Sequence, residues 1–238
     1  MTQNTLSQRV YDELRSRLRT GQLRPGTRLV NRTLAKELGT STIPLREAIT
    51  RLASERLVEV VPGGGAYVRS PDIDELAELY DVREALEVLA AGSAARFATD
   101  HVLADLRAVC DRFRALAAAI PRTGHTTPEQ LDEWLDCEEA FHSRLVDAAR
   151  NRWLSMVVAD VRVVSQVFAA QRSTARILTR EVAAQTARGH DEFLGILANR
   201  DVAAARAWMA QHIRTGRDTV LQFFRAAGRR GPAETGSR

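Results

Sequence analysis

The chain has 238 residues, 45% of them hydrophobic and 27% charged, which suits a globular protein of two-domain length with a buried core. Its charge is uneven: residues 1–70 hold 12 Lys+Arg against 6 Asp+Glu, net +6, while the remainder holds 22 against 24, net −2. A basic N-terminal module on a near-neutral partner is the footprint of a nucleic-acid binder, although a membrane surface or an acidic protein would also attract it. Two cysteines, Cys110 and Cys137, with no Cys-x-x-Cys, argue against a disulfide framework and a thiolate zinc site and for a reducing compartment. MTQNTLSQRV lacks the charged start and apolar core of a secretory leader, and no apolar run approaches the ~18 residues of a membrane span. The expected location is the cytoplasm, with no membrane partner.

Thr5 and Gln8 have capping-box spacing and open an amphipathic helix through Val10, Leu14 and Leu18, expected to stop at Gly21. GQLRPG is a turn-rich connector, followed by a short helix over Asn31–Leu38 with Gly39 at its end. A helix starting near Ser41–Pro44 comes next, and LVEVV–PGGG–AYVR reads as a hairpin with a glycine tip. After Pro71 the strand signals vanish. Helices are expected from Asp72, with Glu75 as its box partner, to about Ala98, and then near 101–120, 128–149, 152–172, 176–199 and 201–227. The fold class is therefore mainly α: a winged helix-turn-helix over 5–70, an all-helical bundle over 71–228, and a disordered tail over 229–238.

Within the first module, Ala35 lies four residues before Gly39 and Leu45 six after. Two helices crossing closely need a small residue, a glycine turn and an apolar anchor at these places. The pattern and the charge leave open a small α/β fold that touches no nucleic acid. The stretch QLRPGTRLVNRTLAKELGTSTIPLREAITRLASERLVEVVPGGGAYV, however, resembles the N-terminus of the GntR family over nearly its whole length. The shared features are PG-x-L, LA-x2-LG, the S-x2-PLREA box, and LV before a glycine-rich wing. The resemblance implies that a helix over about 44–56 enters the major groove of double-stranded DNA while the wing approaches the minor groove. It places Arg32, Ser41, Thr42, Arg46 and the wing glycines Gly64 and Gly65 at the DNA. Arg46 is the expected base reader, since a guanidinium can bind guanine bidentately, whereas Arg32 and Ser41 fit phosphate or mixed contacts. Thr42 stands where the family commonly has Arg, and the wing tip lacks the usual basic residue; both point to a different operator code. Arg51 and Arg56 read better as outer-face or wing-supporting residues.

In the second module Trp134, Leu135, Glu138, Phe141, His142 and Leu145 share one helical face, with Glu138 and His142 one turn apart. A charge on a buried stripe needs a partner or a metal. His190 lies eleven residues before Asp201 and His212 eleven after it, which puts the two at one height in an antiparallel helical hairpin. One carboxylate and three imidazoles suit a divalent metal, zinc first, with nickel or manganese also fitting; a metal-free polar network around a larger acyl ligand is the alternative. Residues 71–225 resemble the FadR subfamily's ligand-binding domain of FCD type, in its six-helix variant, through LYDVREALE, FHSRL with Asn151, and GHDEFLGILANRDVAAARAWMAQHI. The resemblance assigns Glu138, His142, His190 and His212 to a metal site, with Glu138 where Asp is usual.

It also makes Arg83 an effector-facing fork for a small carboxylate, with Thr186 a weaker lining residue; the other reading of Arg83 is an intrahelical pair with Glu87. His101 and His125 match nothing and are read as surface residues. Together these readings imply a homodimeric regulator, a repressor in most of the family, on a short palindromic operator. A metal-dependent hydrolase or lyase is the rival from another class; it has no visible acid–base motif and leaves the basic module unexplained.

Overall fold

A computed structural model describes residues 5–19, 22–70, 72–121, 125–158, 161 and 178–228. The expected stop at Gly21, most of the expected helix over 152–172 and the tail 229–238 lie outside these residues. The N-terminal module runs α1 (Leu6–Arg19), β1 (Arg28–Leu29), α2 (Asn31–Glu37), α3 (Thr42–Ser54), β2 (Val58–Val61) and β3 (Gly65–Val68). The amide of Gln8 donates to Thr5 Oγ1 at 3.2 Å, one half of the expected cap. Leu14 and Leu18 from α1, Leu45 and Leu52 from α3, and Leu57 are fully buried in one core, each contributing about 1.5–3 kcal/mol by leaving water. Ala35 is buried, and Gly39 takes φ +59 as the turn requires.

Two expectations change here. The second helix of the motif runs Thr42–Ser54 rather than about 44–56, because Arg56 adopts φ +57 and closes it. The wing has a third strand: β1 pairs antiparallel with β3, giving the order β1–β3–β2. Two residues are too few for alternation to reveal a strand, so only pairing defines β1.

The rest is helical: α4 (Ile73–Phe97), α5 (Asp100–Ala119), α6 (Pro128–Ala148), a helical stretch at 152–158, α7 (Arg180–Ala198) and α8 (Val202–Gly228). Asp72 caps α4 by accepting from the amide of Glu75, and Thr127 with Gln130 completes both bonds of a capping box on α6. The helix expected from 176 starts at Arg180, because Thr179 caps it by accepting from the amide of Val182. α4 packs along α8, and α5 lies between α6 and α7. No described helix is long and apolar enough to cross a membrane.

The modules meet through charge. Arg19, with its side chain 7% exposed, donates to Asp132 from Nε (2.9 Å) and Nη2 (2.5 Å) and to Asp136 at 2.7 Å. Arg15 donates to Glu139 at 2.6 Å, so α1 is tied to one face of α6.

Candidate functional sites

On the N-terminal module, Arg32, Ser41, Thr42 and Arg46 are all exposed, and neither arginine is in an ion pair with a described residue. By contrast Arg51 is occupied: it donates to Gln8 at 2.6 Å, pairs with Glu55 and lies 3.6 Å from the centre of the Tyr11 ring. Tyr11 donates to Glu55, and its hydroxyl is pushed up to about 12, first by burial and then by that carboxylate. Arg56 offers its carbonyl to Arg69 at 3.2 Å, which makes it a wing support. In the wing Gly65 takes φ +107, and a Cβ on Gly64 would stand 2.9 Å from Val61 Cγ1, so both glycines are required by the turn. The sequence reading missed Ile43, an apolar side chain left 69% exposed in the first turn of α3. A β-branched residue on the polar face of a predicted recognition helix was the available signal, since such groups can contact a thymine methyl.

In the helical module, α6 brings Glu138 and His142 together, α7 supplies His190 and α8 supplies His212. One donor atom from each lies within 4.8 Å of all the others. The hairpin expectation for the two later histidines matches the geometry, with His190 and His212 ring centres 5.0 Å apart. His142 Nε2 lies 3.5 Å from Glu138 Oε2. Its Nδ1 bonds to Glu87 Oε2, and Glu87 accepts from Arg83 Nε through its other oxygen at 2.9 Å. With Glu87 accepting, Nδ1 of His142 donates away from the cluster and Nε2 faces Glu138. Glu87, wholly buried on α4, was read from the sequence only as an intrahelical partner of Arg83. Its bond to His142 bridges 55 residues, and nothing local announces it.

Burial pushes His190 down to about 4 and His212 well below its ordinary value, so both imidazoles are neutral at pH 7. Burial alone would raise the Glu138 carboxyl. The hydrogen bond to His142 and the neighbouring imidazoles outweigh it and hold the group at about 2. Most telling is His190: it is fully buried, stacked at 4.6 Å on Phe113, and neither ring nitrogen has a hydrogen-bond partner among the described residues. Buried polar atoms are almost always satisfied, and an ion is one of the few things that could satisfy these. The set of one carboxylate and three imidazoles could hold a divalent metal.

Beside the cluster lies a cavity of about 550 Å³ whose wall includes Tyr80, Arg83, Glu138, His142, Thr186 and His212. Arg83 is thus both the pair of Glu87 and a lining residue, with its Cζ 4.9 Å from the Tyr80 ring centre. Thr186 is half-buried on that wall. His101 and His125 are exposed, apart from both sites.

Residues 6–68 match the family described as bacterial regulatory proteins, gntR family, and residues 78–215 match the FCD domain. The chain is 29% identical over 204 residues to the Nta operon transcriptional regulator of Aminobacter aminovorans, covering 86% of this chain and 89% of that protein. It is 24% identical to the gluconate operon transcriptional repressor of Bacillus subtilis, covering 89% and 82%. The structure of McbR/YncC from E. coli superposes with a TM-score of 0.78 at 21% identity, covering 92% of this chain and 98% of that one, which shows a shared fold. These relatives are regulators of transcription rather than enzymes. The chain belongs to the GntR family of DNA-binding transcriptional regulators, with a gntR-type N-terminal module followed by an FCD domain.

Proposed function

We propose that the protein is a homodimeric repressor whose affinity for a short palindromic operator is set by a small organic acid. The acid binds in the cavity beside a divalent metal, zinc first, held by Glu138, His142, His190 and His212. The observation that carries this reading is His190, a buried imidazole with two unpartnered nitrogens set 5.0 Å from the His212 ring and beside a carboxylate held ionised. A metal there supplies a Lewis-acid anchor for a carboxylate. Arg83 supplies the complementary charge, since its pairing with Glu87 through Nε leaves other N–H groups of the fork for the ligand. Thr186 on the wall offers a hydroxyl. Repression is supported by two relatives named as repressors, from Bacillus subtilis and E. coli. Dimerisation is supported by the geometry of palindrome reading, one helix per half-site, and by Val82 and Leu89, seven apart on α4 and both exposed.

The path from cavity to DNA runs through α6. One face carries Glu138 and His142; another carries Asp132, Asp136 and Glu139, which hold Arg15 and Arg19 of the DNA-binding module. The test is metal analysis of protein purified without chelator, followed by a thermal-shift screen of small organic acids with and without chelator. Near-stoichiometric metal and chelator-sensitive ligand shifts are expected. No bound metal, with His190→Ala and His212→Ala leaving the ligand shift intact, would leave a metal-free site.

A further inference from the structure

The wing tip, Pro62-Gly63-Gly64-Gly65, carries no cation of its own. The three-stranded sheet supplies one from elsewhere. Register puts Arg28, Tyr67 and Glu59 in one row across β1, β3 and β2, and Val61 opposite Gly65 one pleat further toward the tip. Directly opposed residues share a face, and residues two apart on a strand do too. The other face is buried at Leu29, Ala66, Val68 and Val58, with Val60 left open on the β2 edge. The Arg28 row is therefore the outer face of the wing.

On that face the Arg28 side chain does not stand in its own row. A Cβ on Gly65 would lie 3.2 Å from Arg28 Nε and 3.5 Å from its Nη2, so the guanidinium has reached past Tyr67 and lies over Gly65. Tyr67 is pinned beside it, donating from its hydroxyl to the Gly64 carbonyl at 3.2 Å. Arg28 is exposed and is in no ion pair with a described residue; Glu59 in the same row is two strands away, about 10 Å by strand spacing. Gly65 thus does two things. It adopts φ +107, which L side chains rarely take, and it clears the space the guanidinium occupies.

We infer that Arg28 is the DNA-binding cation of the wing, laid over Gly65 so as to contact a backbone phosphate beside the tip. This rests on the reading that the wing faces DNA. A planar, permanently charged fork suits a phosphate oxygen, and a phosphate contact adds affinity without sequence preference.

The test uses two 30-base-pair duplexes, one selected by the protein from a random pool and one of scrambled sequence, titrated between 50 and 200 mM salt. Arg28→Gln is expected to weaken both equally, by about threefold to tenfold at 100 mM salt. The log–log salt slope should become shallower by about 0.9 for each DNA-binding domain engaged, and Arg28→Lys should retain most of the slope. Melting curves confirm folding, which an exposed position tolerates. Loss confined to the selected duplex would overturn the phosphate assignment and make Arg28 a base reader. An unchanged slope would overturn the proposal, and Pro62→Lys then tells why. If the added lysine steepens the slope, the wing faces DNA and Arg28 is not its cation. If it does not, the wing itself is away from the duplex.

Discussion

Replacing His190 by leucine separates a metal ligand from a packed core histidine, because the two roles give opposite signs. The ring is packed against Phe113 at 4.6 Å and Phe141 at 4.2 Å, and both nitrogens are buried without partners among the described residues. Without an ion those unpaired groups cost about 1–3 kcal/mol, which leucine, of similar volume, removes. Losing the ring contacts costs about 0.5–1.5 kcal/mol in the other direction. The chelated variant should therefore be more stable than the chelated parent by roughly 1 kcal/mol, a rise in Tm of about 2–4 °C for a chain of this size. Zinc at a hundred times its Kd should then stabilise the parent by about 2.7 kcal/mol and the variant far less, so the order reverses. The assay is thermal or urea unfolding of both proteins in chelator and in graded zinc. A variant that is less stable in chelator yet gains as much from zinc as the parent would refute the assignment of His190 as a ligand.

Four other outcomes follow from the geometry. Glu87→Gln should weaken zinc binding by about 10- to 100-fold, measured by competition with a chelating dye, because His142 loses the carboxylate that fixes its tautomer; unchanged affinity would show that the bond only packs the core. Arg46→Ala should cost about 1–3 kcal/mol at one or two operator positions in a binding-site selection, whereas uniform weakening on every sequence would make Arg46 a phosphate contact. Arg19→Gln leaves Asp132 and Asp136 without their cation, while Glu139 keeps Arg15, and should lower unfolding stability by about 2 kcal/mol, less than for a fully buried pair because Asp136 is half-exposed. Asp132→Asn in the same chain should restore part of that loss. Burial pushes the Cys110 thiol up to about 12, so the native thiolate, and with it iodoacetamide labelling at pH 8, should be about a thousandfold below that of an ordinary thiol. Since the neutral form is the one favoured by folding, this thiol should weaken the fold only above about pH 9. Rapid labelling of the native protein at pH 8 would contradict the burial.

What could be read from the sequence was local or symmetric. The caps at Asp72 and Thr127 are visible because cap and partner are three residues apart and the bond depends on nothing else. His190 and His212 could be paired because two helices joined by a short turn place residues equidistant from it side by side. What could not be read depends on elements meeting across the chain. Strand β1 exists only through β3, and the reach of Arg28 over Gly65 follows from that register. Glu87 belongs to the site because α4 crosses α6, while its spacing to Arg83 alone suggested an ordinary helix pair. Capping by Thr179 moved the start of α7 four residues from the periodic reading.

On the function proposed above, α6 is the element that would link the cavity to the N-terminal module. Its cavity-facing donors and its docking carboxylates are adjacent along the chain: Glu138 belongs to the cluster and Glu139 holds Arg15 at 2.6 Å. Neighbouring residues on a helix point about 100° apart, so a rigid α6 cannot move one set without the other. Side-chain tips lie about 5–6 Å from a helix axis, so turning α6 by some 10° to tighten the donors around an ion and its ligand displaces the carboxylates by about 1 Å. The bonds from Arg19 to Asp132 and Asp136 span 2.5–2.9 Å, and a shift of that size takes them beyond hydrogen-bond range. A charge pair of this kind holds or releases over a small displacement, whereas an apolar contact would only slide. Under the proposed function, the polar character of the junction between the modules would let a sub-turn movement at the cavity reposition α3.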